Sequence, residues 1–483
     1  MGATLAHLLG LHGLSVVAIE RERAPYPLPR AVHLDGEAMR VFQTIGIADA
    51  LAPVMFVNKG MQFVDPQGRL LIKWPRPQAV SDQGWHASYR FHQPDLETLL
   101  RDTLDRFAQH TVVLNAEAVG AAEDEVGVTL TVRTGGSSRE DAIRCRYLIG
   151  CDGARSVVRE WIGANYIDLH SDAEWIVVDV LMKRPLPDLS DWTIQLCDPA
   201  RPTTLARGTG DRRRWEFMVM PDDDRTQLER PEFLWSLLSR WIGPEDASLE
   251  RAAVYRFNAV IATPWRRGRM LIAGDAAHRT PPFLGQGLCA GIRDAANLAW
   301  KLAWAIAGRG DAETLLESYE GERRPHVSEF VAQAVRVGEV LQSARQIPPN
   351  AETEHMDTPA PRLGPGLHDA HDPLAGRLAA QPLAADGQWL DDVVGQNFAL
   401  IVRDSDAGAL PESLRSLCAE RQVAIFPAAQ GFSPPSGICA LLVRPDRYIF
   451  GGAKSFGAAE MTVQRLAAVP SQRAEPSLME QAR

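Results

Sequence analysis

The hydrophobic positions of this chain alternate between two periods. Short β-type apolar runs at residues 16–20, 147–150 and 269–273 read as buried strands of a parallel sheet. Between them, apolar residues recur at helical spacing. Pro94 suits the first turn of a helix whose one face carries Leu96, Leu99, Leu100, Leu104 and Phe107. The apolar stretch 5–14 reads as a helix packed on the sheet. From 175 to 260 strands dominate, with 175–181, 192–197 and 214–220 the clearest. A Pro-, Gly- and His-rich stretch at 346–388 has weak periodicity and reads as a linker. Order returns in strands at 398–402 and 423–426, a helix at 414–421 and a hairpin over 440–449. The pattern predicts an α/β protein of several domains, as 483 residues exceed one ordinary domain.

The three apolar runs share an ending. Residues 16–20 close on Glu20, the second run breaks at Asp152-Gly153, and the third delivers Gly274-Asp275 into a turn holding Gly285, Gln286 and Gly287 before a helix at 288–306. A strand that ends in an acid and a glycine turn, followed by a helix N-terminus, holds a phosphorylated, sugar-bearing cofactor. The glycines allow close backbone approach, the helix dipole favours phosphate, and a carboxylate binds sugar hydroxyls. Taken singly, each unit also reads as an ordinary capped turn, and Glu20 as a surface acid.

The run from Gly274 through Asp275, His278, Pro281, Pro282, Gly285, Gln286 and Gly287 to Leu302 resembles the second flavin-binding signature of the class A flavoprotein aromatic hydroxylases. Within that family, residues 175–179, 197–199 and 215–221 are most similar to the 3-(3-hydroxyphenyl)propionate hydroxylases. The resemblance is close over 2–345 and loose beyond. It implies a doubly wound, glutathione-reductase-like FAD-binding domain at 1–174 and 261–345, an antiparallel substrate domain at 175–260, and a thioredoxin-like domain at 389–475. It also implies FAD as cofactor, NADH or NADPH as co-substrate, and ortho-hydroxylation of a phenol through a flavin C4a-hydroperoxide. The substrate it suggests is an aromatic acid of the 3-(3-hydroxyphenyl)propionate type. A polyketide tailoring hydroxylase and a non-catalytic paralogue are the alternatives.

Cofactor contacts carried over by the resemblance are Gly2, Glu20, Arg21, Arg30, Gln93, Asp152, Gly153, Gly274, Asp275, Pro282, Gly285, Gln286, Gly287 and Leu288. Pro282 belongs beside the reactive edge of the flavin. Asp35 is the candidate proton relay for the phenol, with His33 nearby as a second. Arg207 is a candidate anchor for a substrate carboxylate. Trp215, Phe217, Met218 and Met220 are candidates to line the cavity, or else plain core. Cys289 stands where asparagine is more usual. Gly2 matches the last glycine of a dinucleotide fingerprint whose strand and earlier glycines would lie upstream. Translation is therefore expected to begin before Met1, which stands where the family has valine.

Composition narrows the partners. A net charge of −10 offers no broad basic surface for nucleic acid, and Arg212-Arg213-Arg214 is too short to change that. No stretch is apolar enough to span a membrane, and no signal-peptide pattern opens the chain. The six cysteines have neither CxxC spacing nor a disulfide framework, which points to reduced thiols and a cytoplasmic enzyme. No metal-ligand motif is present. The expected partners are a small aromatic substrate and O2, with a homodimer as the candidate assembly.

Overall fold

A computed structural model describes residues 1–136, 139–342, 359–429 and 437–468. The parallel strands form two groups. Val16–Glu20 pairs with His110–Leu114, and Leu148–Gly150 pairs with Met270–Ile272. Among the described residues, no strand joins the two groups. Val17, Val112 and Leu114 are exposed, although strands of a doubly wound sheet are normally covered on both faces. Helix Gly2–Leu11 covers the other side with Leu5, Leu8 and Leu9. It packs on helix Gly287–Ala307, whose buried stripe includes Ile292, Ala295, Leu298, Ala299 and Leu302.

An eight-stranded sheet forms the second layer. Its long strands Asn165–Met182 and Ala247–Thr263 run antiparallel, and Arg212–Met218, Thr203–Arg207 and Thr193–Leu196 extend it on one side. Gly60–Val64 then joins in parallel, with Leu70–Pro75 at the edge. The expected substrate domain began at 175, but strands from the first 75 residues complete its sheet. Their sequence carries no mark of that long-range pairing. The outer face packs Ile176, Val178, Trp215, Phe217 and Val219 against helix Pro231–Leu238. The inner face looks toward the glycine turn.

The C-terminal unit orders Val423–Ala428, Phe398–Arg403, Ala440–Val443 and Ile449–Ala453 in one sheet, the first pair parallel and the rest antiparallel. With helices Glu412–Arg421 and Phe456–Gln464 this is the βαβ–ββα order of a thioredoxin-like unit. Of the expected linker 346–388, residues 346–358 lie outside the described part, as do 343–345 of the first domain and 469–475 of the last. The described remainder is no free tether. The Asp369 amide donates to the Phe450 carbonyl, and Gln381 donates to the Gln83 carbonyl at 2.7 Å. No helix of the described residues is long and apolar enough to cross a membrane.

Candidate functional site

The strand-glycine units meet in one cleft. A Cβ added to Gly2 would lie 3.3 Å from the Cys151 Cβ, while Met1 packs on Gly274 and Gly291, so the N-terminus of the first helix abuts both of the other units. Asp275 is exposed here, yet enough protein surrounds it to raise its carboxyl above the ordinary range, with His278, the terminal ammonium and Arg30 opposing the rise. An acid that is both open to solvent and deep in the fold lines a cleft. Glu20 is 38% exposed in its side chain, with Arg101 3.6 Å away. Arg21 is exposed and pairs with Glu22. Asp152 accepts from the Val157 and Val158 amides at 2.8 and 3.2 Å and so caps the helix after Gly153.

At the other end, the turn before helix Gly287–Ala307 is half-open at Pro282, Gly285, Gly287 and Leu288. Gly285 has φ +66°, and a Cβ there would meet the His33 Cβ at 2.7 Å, whereas Gly287 has open space on its Cβ side. Gln286, the N-cap, makes no side-chain capping bond. The first amides of the helix therefore face the cleft with nothing but a ligand or solvent to receive them. Gln93 accepts from the Arg30 and Ala31 amides at 3.0 and 2.8 Å. It thereby fixes the loop that carries the exposed Arg30, whose guanidinium lies over the Tyr26 ring.

The cleft suits FAD: it has an exposed acid at Asp275, an uncapped helix start, and glycines whose side-chain space is open or forbidden. Asp275 and Glu20 would serve its sugar hydroxyls, Arg30 its phosphates, and the Gly285–Leu288 backbone its ring.

Other expected residues have different work. Asp35 caps helix Gly36–Thr44 by accepting from Ala38 N at 2.9 Å, and it pairs with Arg293 at 2.5 Å. Burial alone would raise its carboxyl; Arg293 and the Ala38 amide outweigh that and hold it below the usual carboxylate range. A carboxylate so engaged is a weaker acceptor for a phenol proton than a free one. His33 Nδ1 donates to the Gly285 carbonyl (3.1 Å), and its Nε2 accepts from Ser88 Oγ (2.8 Å). Burial, reinforced by Arg90, lowers its pKa to about 4, so it is a neutral strut under the turn. His278 is buried against Asp294 at 2.7 Å. Cys289 is buried, with its Sγ 3.8 Å from the His33 carbonyl.

The candidate substrate residues have other neighbours. Arg207 lies over Phe56 and pairs with Asp191 at 2.5 Å, a carboxylate it shares with Lys59 and Arg213. Trp215 and Phe217 point to the outer face, beside Trp241. Strand alternation decides this: Trp175, which contacts Phe283 of the turn, is the register partner of Met218. Even-numbered residues of strand Arg212–Met218 thus face inward.

The inner face carries an apolar cluster of Met61, Phe63, Trp74, Trp175, Cys197 and the partly buried Met218, packed against Phe283 and Leu284 of the turn and against Ala334, Val337 and Leu341 of helix Ala312–Gln342. Beside it runs a polar band. Gln195 accepts from Thr204 at 2.6 Å, and Asp179 binds Arg214 at 2.7 and 2.9 Å. Glu216 lies between them, its carboxyl raised by burial despite Arg214.

Sequence reasoning missed a buried polar chain behind the turn. Arg293 reaches Glu37 (2.5 Å) and Gln286 (3.0 Å) as well as Asp35. Glu37 accepts from the Tyr448 hydroxyl at 2.7 Å, and Tyr448 meets His326 at 3.0 Å. Arg323 links His326 to Asp294, which accepts from the Gly274 amide. The only hint in the sequence is the charge of Arg293 and Asp294 within the largely apolar helix Gly287–Ala307.

A two-layer fold with an open glycine turn facing an aromatic-lined sheet defines a flavin-binding oxidoreductase. Residues 1–334 match the family described as FAD binding domain, and the chain belongs to that family. A probable NADH-specific resorcinol 4-hydroxylase of Rhodococcus jostii is 33% identical over 99% of this chain and 95% of its own length. A 3-(3-hydroxyphenyl)propionate/3-hydroxycinnamic acid hydroxylase of Burkholderia vietnamiensis is 32% identical over 98% and 96%. Among solved structures, aklavinone-11 hydroxylase with FAD and aklavinone aligns over 96% of both chains with a TM-score of 0.79 at 22% identity. The flavin-dependent monooxygenase PieE aligns over 97% of both, with a TM-score of 0.80 at 21% identity. These two share the expected architecture.

Proposed function

We propose that this chain is an FAD-dependent aromatic hydroxylase that uses NADH or NADPH and O2 to place a hydroxyl group beside the existing hydroxyl of a phenolic ring. The observation that carries this reading is the apolar wall of Trp175, Met218 and Phe283 set against the half-open Pro282–Leu288 turn. When bound, reduced FAD would activate dioxygen as an electrophile that an electron-rich ring attacks.

The chain's own residues orient and shield. Trp175, Phe283 and Met218 hold a ring by contact and keep water out of the reacting zone. The helix start at Gly287 offers amides and a positive dipole end to an electron-rich ring edge. His33, fixed by Gly285 and Ser88, keeps the turn in place. Glu216, the buried inner-face carboxyl with a raised pKa, is better suited than Asp35 to exchange a proton with a phenol. All six cysteines are unpaired thiols, which fits a cytoplasmic enzyme.

The test is a visible spectrum of the purified protein, followed by NADH and NADPH oxidation with and without 3-(3-hydroxyphenyl)propionate or resorcinol. Bound flavin, substrate-stimulated oxidation and a hydroxylated product are expected. Flavin-loaded protein that gives no oxygenated product from any phenol would refute the proposal.

A further inference from the structure

Most of the buried arginines are neutralised at close range: Arg40 by Asp391, Arg214 by Asp179, Arg293 by Asp35 and Glu37, Arg323 by Asp294, Arg444 by Glu322 and Asp446. Two beside the flavin turn are different. Arg90 is the register partner of His33, so their side chains rise from the same side of the small sheet. It is 6% exposed and donates Nη2 to Thr193 Oγ1. Arg76 lies with its guanidinium 4.2 Å from the Trp74 ring centroid, and its Nη1 is shielded from solvent without a hydrogen-bond partner. Among the described residues, neither forms an ion pair.

The two converge. Thr193, which holds Arg90, is the register partner of Met61, and Met61 that of Trp74. Trp74 and Met61 belong to the apolar wall that includes Trp175 and Phe283. Burial lowers the pKa of Arg76 to about 10; that of Arg90 also falls to about 10, where burial, helped by Arg214 and Arg76, outweighs Glu216. Two cations in a desolvated corner raise each other's energy and leave donors unmet, a state that an anion relieves.

We propose that Arg76 and Arg90 form an anion subsite that receives the carboxylate of a phenolic aromatic acid whose ring lies on the Trp175, Met218 and Phe283 wall. This rests on the hydroxylase reading above and deepens it: the substrate is a carboxylated phenol, not a neutral one. Arg90 supplies the charge at Thr193, and Arg76 supplies its unmet Nη1.

The experiment uses the flavin-loaded enzyme, with 3-(3-hydroxyphenyl)propionate compared with its uncharged alcohol analogue, 3-(3-hydroxypropyl)phenol. Dissociation constants come from the perturbation of the flavin spectrum, and KM and kcat from product formation. The wild type should bind the acid at least about 10-fold more tightly than the alcohol. Arg76→Met and Arg90→Met should each weaken the acid by about 10- to 100-fold, the size of a charge-assisted hydrogen bond. The alcohol should stay within about 3-fold, since its contacts are apolar, and Arg76→Lys should retain part of the acid preference. Equal binding of acid and alcohol by the wild type would overturn the subsite, as would variants that weaken both alike at full flavin content. If a Met variant loses its flavin, the wild-type comparison and the Lys variant decide. Hydroxylation of neutral phenols with no acid preference defeats only this subsite, whereas absence of product from every phenol defeats the hydroxylase reading itself.

Discussion

Arg293→Met removes one guanidinium that serves three partners at once. Asp35 and Glu37 each lie 2.5 Å from it and Gln286 lies 3.0 Å away, while Arg293 itself is 6% exposed. Methionine fills most of the volume, so the cost is electrostatic: two buried carboxylates lose their counter-charge. Asp35 keeps the Ala38 amide and Glu37 keeps the Tyr448 hydroxyl, which moderates the loss. Breaking a buried pair on one side costs about 3–5 kcal/mol, and about 4 kcal/mol is expected at pH 7.5. The pH dependence has a definite sign. In the wild type Asp35 is held below the usual carboxylate range, so its stabilisation is present at neutral pH and lost on acidification. Without Arg293, burial raises the Asp35 carboxyl instead; protonation then relieves the strain, and the deficit shrinks toward pH 5. Urea unfolding followed by far-UV circular dichroism at pH 7.5 and 5.5 measures this, with Arg293→Met/Glu37→Gln as the second variant. The double variant should recover about half of the loss, because the sites are in contact and do not add. A deficit under about 1 kcal/mol, or no recovery in the double variant, would refute the reasoning.

Asp275→Ala should abolish flavin retention while the C-terminal unit stays folded; a flavin spectrum at full occupancy would count against the assigned cleft. Trp215→Ala should cost about 3–5 kcal/mol of stability with KM unchanged, since the ring packs on the outer face; a large rise in KM at unchanged fold would place it in the cavity after all. His33 is neutral in the fold, with its pKa lowered from 6.5 to about 4. The unfolded chain therefore binds the extra proton, and stability falls as pH drops from about 6.5 toward 4, by about 3 kcal/mol. His33→Gln should flatten that part of a denaturant-midpoint profile, and an unchanged slope would show that His33 titrates in the fold.

Local features were legible in the sequence. Strand-glycine-helix units announce themselves by composition, and Pro94 with its leucine face marks a helix that the structure places at Gln93–Asp102. The choice of sheet face was not legible. Trp215 and Met218 differ only in parity, and which parity faces the turn depends on Trp175 meeting Phe283. Asp35 and Arg207 looked available because their partners, Arg293 and Asp191, lie 258 and 16 residues away. Arg76 and Arg90 escaped notice for the opposite reason: an unpaired cation is visible only once its surroundings are known.

Tyr448 lies in the turn of the C-terminal hairpin, yet its hydroxyl bonds Glu37 on one helix of the flavin layer and His326 on another. A graft that exchanges the C-terminal unit between relatives therefore transplants half of a hydrogen-bond set whose other half stays behind. Such chimaeras should tolerate the exchange when Glu37, His326 and Tyr448 travel together. Otherwise the mismatch is felt at Arg293 and the glycine turn, far from the seam where the two sequences were joined.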